Sequence, residues 1–290
     1  MIRLAVATNA KTYDRIRSPL ADRGIEVVHV PASGRTIDLQ DPDLPAVDVG
    51  FVYPPRLMEG GAIEAALDVP WVNGREAVLI SRNKGGVIAR LAAAGVSVPR
   101  TVMISNPVDR EQLTQAIDAI GWPIVVKPNS TTRGVGVAKA IDRDSLDGII
   151  DYLDLVHDYR ATGDRSYLLQ EYLPDATDYR VMIVDGEYAG AVERQLPERA
   201  ADAGHWKHNV HRGAIARAID LPDEHRRIAE RTAAVLGIDY LGVDLLETTD
   251  GVVVNETNAR PTIDAETKYE PWFYDRLAAL IERTADAEIA

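Results

Sequence analysis

A run of valines near the C-terminal end of the chain breaks off into polar residues that could bind a metal. The stretch reads GVVVNETNAR, and Glu256 and Asn258 lie two residues apart, which on a strand places both side chains on one face. A hairpin with a three-residue loop and a bulge at Gly251 would set Asp244 directly opposite Glu256. Three oxygen ligands without His or Cys suit Mg²⁺. The alternative is a polar hairpin with coincidental acids.

A glycine-containing loop earlier in the chain is a candidate phosphate-binding segment. In PIVVKPNSTTRGVGVAKA a strand ends at Lys127, a polar loop that includes Arg133 follows, and Gly134 and Gly136 lead into another strand. Glycines let backbone N–H groups approach phosphate oxygens closely, and Lys127 could meet the phosphate charge from the sheet below. An ordinary hairpin loop explains the same pattern equally well.

A third polar cluster follows two leucines at the end of an apolar run and precedes a hairpin. A strand edge of this kind can hydrogen-bond an adenine through its backbone while an acidic side chain holds a ribose hydroxyl. Solvated charges at a strand end are the alternative. The residues are Gln170, Glu171, Tyr172, Leu173, Asp178 and Arg180.

A fourth cluster, GHWKHNVHRGAIAR, contains three of the six histidines. Their spacings of three and three flip faces on a strand and drift around a helix, which disfavours a zinc site. Asn209 and Arg212 in the same stretch are better candidates for function, because a carboxamide and a guanidinium suit phosphate oxygens that carry developing charge.

Composition restricts the classes of partner. Asp and Glu exceed Lys and Arg by 45 to 32, a net charge of −13, and such a field repels nucleic acid. This excess of acid would suit a salt-rich cytoplasm. The chain has no cysteine, which excludes disulfides and Cys-ligated metal sites.

We expect a cytoplasmic protein without a membrane partner. No apolar run approaches the roughly 18 residues that a bilayer-spanning helix needs. The N-terminal stretch MIRLAVATNAKTYD lacks a hydrophobic core followed by a small-residue cleavage site, so it does not indicate a signal peptide.

The order of apolar runs predicts a mixed α/β and α+β protein. Short strands alternate with helical stretches in the first part of the chain, which favours a parallel sheet flanked by helices. A helical pattern then begins at Ser81 and ends near Gly95. Beyond it, Asp185-Gly186 and Asp250-Gly251 lie between apolar runs, and Asp-Gly in this setting predicts antiparallel hairpins.

Taken together and in this order, the clusters resemble the ATP-grasp superfamily, most closely its RimK-like branch of glutamate and amino-acid ligases. The resemblance covers about residues 80–260 in detail. It implies an ATP-grasp fold in three parts: an N-terminal pre-ATP-grasp domain at 1–81, a central subdomain with a glycine-loop lid at 82–156, and a C-terminal subdomain with the metal site at 157–290.

The same resemblance assigns roles to individual residues. The ATP-contacting lysines match Lys84 and Lys127, and the segment usually written R-x-N-x-x-R-G-G matches at Asn209 and Arg212, which would be catalytic. Mg²⁺, as two ions and with Mn²⁺ as an alternative, would be held by Asp244, Glu256 and Asn258. ATP would be bound by Lys84, Lys127, Arg133, Gly134, Gly136, Gln170, Glu171, Tyr172, Leu173, Asp178 and Arg180.

Two departures from the family pattern leave the substrate open. The usual Asn-x-x-Pro-Gly has Thr262 in place of its glycine, and the second glycine of R-G-G is Ala214. Both lie where the acceptor and the acyl phosphate would sit. Arg194 and Arg260 are candidate contacts for a substrate carboxylate, since the planar fork of arginine fits one bidentately. A structural salt bridge is the alternative for Arg260.

The activity implied by the resemblance is ATP-dependent ligation of a carboxylate to an amine through an acyl phosphate, with release of ADP. The carboxylate would belong to a small molecule, a peptide or a carrier protein, and the amine to glutamate or another amino acid. Relatives also suggest a homo-oligomer. Two other functions stay open: an ATP-grasp phosphotransferase that forms no amide, and a nucleotide-binding sensor without catalysis.

Overall fold

Three β-sheets flanked by helices make up the fold in this computed structural model. The structure describes residues 1–7, 11–131, 134–157, 164–197, 199, 206, 214–265 and 268–287. One sheet is parallel and two are antiparallel, which confirms the predicted mixture of α/β and α+β organisation. Among the described helices, none is long and apolar enough to span a bilayer.

Sheet 1 is the parallel sheet of the N-terminal unit. Its strands are β1 (Ile2–Val6), β2 (Ile25–His29), β3 (Val49–Phe51) and β4 (Trp71–Val72), and its helices are α1 (Lys11–Ala21), α2 (Leu57–Leu67) and α3 (Arg75–Arg82). The strands lie in the order β2-β1-β3-β4. The predicted alternation of apolar strands and helices is therefore confirmed for this part of the chain.

Sheet 2 is an antiparallel sheet in the middle of the chain. Its strands are β5 (Thr101–Ser105), β6 (Ile124–Pro128), β7 (Ala138–Ala140) and β8 (Ser166–Glu171), with helices α4 (Lys84–Ala93), α5 (Arg110–Ile120) and α6 (Arg143–His157). The order is β5-β8-β6-β7. This order puts the N-terminal ends of β5 and β6 on either side of the last residues of β8, Gln170 and Glu171, which belong to the predicted nucleotide-binding cluster.

The pairing of β8 favours a different position for one predicted domain boundary. The boundary between residues 156 and 157 separates β8 from the sheet in which it pairs with both β5 and β6. The backbone groups along both edges of β8 therefore find their partners within the central unit. We propose instead that the central unit continues through β8 and that the C-terminal unit begins after it.

Sheet 3 is the larger antiparallel sheet of the C-terminal part. Its strands are β9 (Thr177–Val184), β10 (Glu187–Gln195), β11 (Ile215–Ile219), β12 (Tyr240–Thr248) and β13 (Gly251–Asn258), with helices α7 (Asp223–Leu236) and α8 (Phe273–Ala285). The order is β11-β10-β9-β12-β13. Asp185 and Gly186 form the β9–β10 turn with φ values of 55° and 75°, the paired left-handed geometry expected of an Asp-Gly hairpin turn.

Buried side chains join sheet 1 to sheet 3 but give sheet 2 a core of its own. One core cluster contains Phe51 of β3, Tyr240 of β12 and Phe273 of α8, and the rings of Phe51 and Tyr240 lie 5.1 Å apart between centroids. The cluster under sheet 2 is drawn from residues 102–169 alone. Sheet 2, α5 and α6 thus pack around a core of their own, whereas α4 contributes Val87 and Leu91 to the core beneath sheet 3.

Candidate active site

The β12–β13 hairpin carries the three predicted metal ligands and contains a bulge. Leu245 pairs with Val254, but the next pair along the ladder is Asp244 with Glu256, which leaves Asn255 as the extra residue. The predicted opposition of Asp244 and Glu256 is therefore confirmed.

The predicted reason for that opposition was wrong. Thr248 pairs with Gly251, so the loop holds two residues rather than three and Gly251 is not the site of the bulge. Val254 is buried in the core beneath the sheet, and in a regular strand Glu256 would follow it onto the same face. The extra residue shifts the alternation, so that Val254 packs in the core while Glu256 and Asn258 face the site.

Cationic side chains hold both carboxylates of the hairpin. Glu256 Oε1 lies 3.2 Å from Lys84 Nζ. Asp244 accepts two hydrogen bonds from Arg180 and lies 3.1 Å from Nη2 of Arg194. Burial by itself raises the pKa of the Asp244 carboxyl, but the two guanidinium groups outweigh it and hold the pKa below its usual value. Asp244 is therefore an ionised, buried carboxylate at neutral pH.

Arg194 lies inside this charge cluster. Its side chain is 7% exposed, donates to Asp178 and pairs with Asp244. Burial lowers the pKa of the Arg194 guanidinium, but the two carboxylates more than compensate and raise it. Since both of its partners are protein carboxylates, we propose that Arg194 positions Asp178 and Asp244, in place of the substrate contact suggested by the sequence.

Lys84 is the first residue of α4, which begins after a break in the helix predicted from Ser81. Asn83 separates α3 from α4, and its side chain accepts a hydrogen bond from the N–H of Gly86, which makes it an N-cap. The Lys84 ammonium donates to the carbonyl of Thr131 at the start of the glycine loop. One lysine therefore contacts both the loop and the metal-ligand hairpin.

Asn129 ties the glycine loop to the start of α4. Its Oδ1 accepts from the N–H of Gly85 at 2.8 Å, its Nδ2 donates to Oδ1 of Asn83 at 3.1 Å, and its backbone carbonyl accepts from the N–H of Lys84. The side chain is buried. The sequence offered no signal for this residue beyond its place two positions after Lys127.

The two glycines of the loop have backbone conformations that other residues rarely adopt. Gly134 and Gly136 have φ values of 65° and 73°, in the left-handed region. A Cβ at Gly136 would also lie 2.8 Å from Cγ of Pro128. Arg133, between Thr131 and Gly134, lies outside the described residues.

Lys127 bridges sheet 2 and sheet 3. Its ammonium donates to Oε1 of Gln170 on β8 and, at 2.9 Å, to Oδ1 of Asn255 at the bulge. Burial removes water from the ammonium and is the main reason that the pKa of Lys127 falls to about 8, despite the nearby carboxylate of Glu256. The bulge residue, which sequence reasoning did not single out, therefore supplies one of the two partners of this lysine.

The predicted adenine-binding cluster lies at the end of β8. Glu171 accepts from the N–H of Arg100 at 2.7 Å, so its carboxylate fixes the start of β5. Leu173 follows the strand end, and the Tyr172 ring meets Trp206 at 5.9 Å and the Lys139 ammonium at 4.3 Å.

Arg260, a predicted substrate contact, lies in the described part of the chain, whereas both predicted catalytic residues do not. Asn209 and Arg212 lie outside the described residues. Arg260 is half-buried, and its backbone N–H donates to Oδ1 of Asn258 at 2.9 Å. This bond turns the chain immediately after the hairpin.

The site is locally cationic in an acidic protein. Four cations (Lys84, Lys127, Arg180 and Arg194) face three anions (Asp178, Asp244 and Glu256). Within the described part of the chain, no three His, Cys, Asp or Glu side chains gather as a metal site. An ion held here would therefore use the two hairpin carboxylates with the Asn258 amide and ligands from a substrate, a donor set that fits Mg²⁺.

Comparison with known sequences places this geometry in a family. Residues 81–271 match the RimK-like ATP-grasp domain. The chain is 33% identical over 220 residues to a probable alpha-L-glutamate ligase of Klebsiella pneumoniae, covering 75% of this chain and 69% of that protein. It is 32% identical over 199 residues to a ribosomal protein bS6–L-glutamate ligase of Salmonella paratyphi B, covering 68% of this chain and 62% of that one.

Solved structures share the fold over nearly the whole chain. A RimK domain ATP-grasp protein from Sphaerobacter thermophilus superposes with a TM-score of 0.70 at 20% identity, covering 97% of this chain and 99% of that one. The ATP-grasp ligase PsnB, in a complex with a precursor variant, Mg and ADP, gives a TM-score of 0.65 at 16% identity and covers 97% and 98%. The fold is therefore that of ATP-grasp proteins, and the comparisons support ATP-dependent carboxylate–amine ligation.

Proposed function

This chain belongs to the RimK-like ATP-grasp family, and we propose that it is an ATP-dependent carboxylate–amine ligase that forms an amide or peptide bond and releases ADP. One observation carries the proposal. Two buried lysines from separate elements, Lys84 of α4 and Lys127 of β6, reach the hairpin that bears Asp244 and Glu256. Cations that reach a pair of carboxylates in this way suit a polyphosphate held together with a divalent metal.

ATP would lie between sheet 2 and sheet 3. We propose that the backbone at Tyr172 and Leu173 binds the adenine, that Asp178 lies near the ribose, and that Gly134 and Gly136 cover the phosphates together with Arg133. Gln170 would act through Lys127, since its carboxamide oxygen already accepts from that ammonium. Its amide nitrogen donates to Thr101, so the orientation of the carboxamide is fixed.

Mg²⁺ fits the donor set of the hairpin. We propose that Asp244, Glu256 and Asn258 hold it, as two ions and with Mn²⁺ as an alternative. The metal would neutralise phosphate charge that repels an incoming carboxylate. Arg180 would then share Asp244 with the metal, and Lys84 would share Glu256 with it. The positive charges of Arg180 and Lys84 would become available to the phosphates.

The proposed reaction has two steps. A substrate carboxylate oxygen attacks the γ-phosphorus of ATP, ADP leaves, and an acyl phosphate forms. The amine nitrogen then attacks the acyl carbon, phosphate leaves, and the nitrogen loses a proton as the amide forms. Arg212 and Asn209 are proposed to stabilise the charge on the transferring phosphoryl group, and the glycine loop to exclude water that would hydrolyse the acyl phosphate.

The relatives suggest the class of substrate. Two of them are named for glutamate ligation, and one acts on a ribosomal protein. We propose that glutamate or another amino acid supplies the amine and that a small molecule, a peptide or a carrier protein supplies the carboxylate, with Arg260 as a contact for a substrate carboxylate. A cytoplasmic location and a homo-oligomeric state are part of the same proposal.

Product analysis by mass spectrometry tests the proposal. The protein is incubated with Mg²⁺-ATP, mixed amino acids, short peptides ending in glutamate, and hydroxylamine to trap the acyl phosphate. We expect ADP together with an amide or a hydroxamate. Glu256→Gln should abolish both products, whereas Asp250→Asn, an exposed change in the turn of the same hairpin, should leave them unchanged.

The outcome separates the two alternatives. ADP with a phosphorylated product and no hydroxamate would indicate a phosphotransferase. Tight ATP binding without turnover at low and high salt would indicate a sensor and contradict the ligase proposal.

A further inference from the structure

A buried asparagine of the N-terminal unit contacts the strand end that carries Asn258. Asn73 follows β4, and its Nδ2 donates to the carbonyl of Ala259 at 2.7 Å and to the carbonyl of Tyr240 on β12. The same amide group therefore joins the end of β13 to the start of β12. These are the two strands that carry the proposed metal ligands.

A buried serine contacts the backbone N–H of the same residue, Ala259. Ser81 lies in α3, and its Oγ accepts from the N–H of Ala259 at 3.0 Å and lies 3.1 Å from Oγ1 of Thr257. Ser81 therefore contacts both neighbours of Asn258, and Asn73 contacts one of them. The backbone on either side of the proposed ligand is held by side chains that are far from it in sequence.

Burial makes these contacts costly to lose. Asn73, Ser81 and Thr257 are 8%, 6% and 5% exposed, so a backbone group deprived of its partner would be left without water. Asn73 also has φ at 53°, a left-handed conformation that asparagine tolerates better than most residues. The two hydrogen bonds of its Nδ2 hold the buried side chain in this backbone conformation.

We propose that Asn73 and Ser81 are positioning residues that hold the Asn258 amide where a nucleotide-bound divalent metal requires it. The inference rests on the proposed function, since it concerns the same metal ligands. Neither residue contacts the reacting atoms. Their effect would be confined to the part of nucleotide affinity that depends on the metal.

The left-handed backbone at Asn73 allows a clean test. Asn73→Gly removes the side chain and keeps a residue that adopts φ of 53° without strain. Asp68→Gly is the matched control, because Asp68 has φ of 47°, is exposed and lies in the same unit far from the hairpin in sequence. Ser81→Ala, which needs no change of backbone, provides a second and independent variant.

The measurement is the affinity for ADP by titration calorimetry, with Mg²⁺ and with EDTA. For the wild-type protein we expect Mg²⁺ to tighten ADP binding. In Asn73→Gly and in Ser81→Ala we expect that tightening to shrink by about fivefold to tenfold, while the affinity in EDTA stays within about twofold of wild type. The Asp68→Gly protein should match wild type in both conditions.

Different failures have different meanings. If both site variants keep the full effect of Mg²⁺, or lose affinity equally with and without it, the positioning role is wrong and the contacts are structural. If Mg²⁺ does not change ADP affinity even in the wild type, the metal assignment of the hairpin fails, and with it the premise. Circular dichroism of each variant at the titration temperature confirms that a folded protein was measured.

Discussion

Lys127 carries a positive charge that its surroundings do not neutralise. The side chain is buried, and its hydrogen-bond partners are neutral carboxamides. Gln170 and Asn255 each give it a carboxamide oxygen, and Glu256 is a more distant anion. A carboxamide orients an ammonium without neutralising it. The ammonium charge is therefore available for an anionic ligand. A bound phosphate group would offset the desolvation cost of the ammonium, which the protein groups alone do not offset.

The low pKa of Lys127 predicts how nucleotide affinity depends on pH. The group is protonated below about pH 8 and loses its proton above it, whereas the phosphates of ADP stay ionised. Metal-free ADP affinity should therefore begin to fall as the pH approaches about 8, where half of the lysine has lost its proton, and should fall above it by up to about tenfold per pH unit. Titration calorimetry over pH 7–9.5 measures it. Lys127→Arg should bind without this pH dependence, since arginine stays charged. A flat wild-type profile would contradict the prediction.

Asn255→Ala tests the other partner of Lys127. The substitution leaves the bulge backbone in place and removes the acceptor 2.9 Å from the ammonium. We expect metal-free ADP affinity to fall about fivefold to tenfold because the lysine is no longer held in position. Val252→Ala, on the same strand, is the control for general weakening of the hairpin. Equal losses in the two variants would show that the carboxamide has no particular role.

At this scale the sequence predicts residues that belong to a motif and misses those that act through distant partners. Asp244 and Glu256 could be named from residue type and spacing, and Lys84 from the resemblance to the ATP-grasp motifs. Asn73 could not, because its partner at Ala259 lies 186 positions away and nothing near it in the chain signals the contact. The role of a buried carboxamide can be assigned only when the fold shows which backbone group it contacts.

Among the elements, sheet 3 is where backbone geometry is most constrained. Gly190 of β10 has φ at 135° and lies at an irregularity of the β9–β10 ladder. A Cβ there would meet the carbonyl oxygen of Lys268 at 2.5 Å and Cα of Tyr269 at 2.9 Å. The segment after the hairpin therefore crosses the sheet at a place where only glycine leaves room for it.

Gly190→Ala should consequently destabilise the protein more than its backbone strain alone would. We expect a loss of about 2–4 kcal/mol in the free energy of unfolding. Gly186→Ala is the matched control, because Gly186 also has positive φ, at 75°, but nothing lies within 4 Å of its added Cβ; about 1 kcal/mol is expected there. Urea unfolding followed by circular dichroism measures both. Equal losses would mean that the crossing segment simply moves aside.

The turn at Asp185-Gly186 was predictable, but the loop length at Asp250-Gly251 and the bulge at Asn255 were not. The pair Asp185-Gly186 indicates a hairpin turn because both central residues of such a turn take positive φ, which few residue pairs allow. The bulge at Asn255 has no such signature, since an ordinary asparagine carries it. The register of Asp244 with Glu256 followed from requiring the two acids to share a face, which is a functional requirement, and the position of the extra residue depended on where Val254 meets the core.

For the whole molecule, the net charge of −13 opposes the compact state by self-repulsion. Raising KCl from about 0.1 M to about 1 M shortens the screening length from about 10 Å to about 3 Å. We therefore expect the midpoint of thermal unfolding to rise with KCl and then to level off. Differential scanning calorimetry in KCl, with sucrose at matched osmolality as the control, measures it. A midpoint that falls with KCl would show that specific ion pairs outweigh the repulsion.

The types of sheet could be predicted from the sequence, but the sheet to which each strand belongs could not. Alternation of apolar strands with helices indicated a parallel sheet, and Asp-Gly turns between apolar runs indicated antiparallel sheet, because each sheet type has its own pattern of connections. The assignment of β8 was not accessible in this way, since a strand shows its own burial in sequence but not its neighbours. Pairing of β8 between β5 and β6 joins residues that lie on opposite sides of a long helix and a polar stretch.

The grip of Asn73 and Ser81 on the end of β13 has a consequence for how such proteins can diverge. If the N-terminal unit only presented a substrate, recombination between relatives could exchange it. The substrate specificity would then be transferred with the unit. Here that unit also supplies two side chains to the backbone around Asn258. A chimaera joined near residue 82 inherits a functional hairpin only if its donor brings compatible residues at both positions. New specificities would then arise more readily by substitution within the unit than by replacing it.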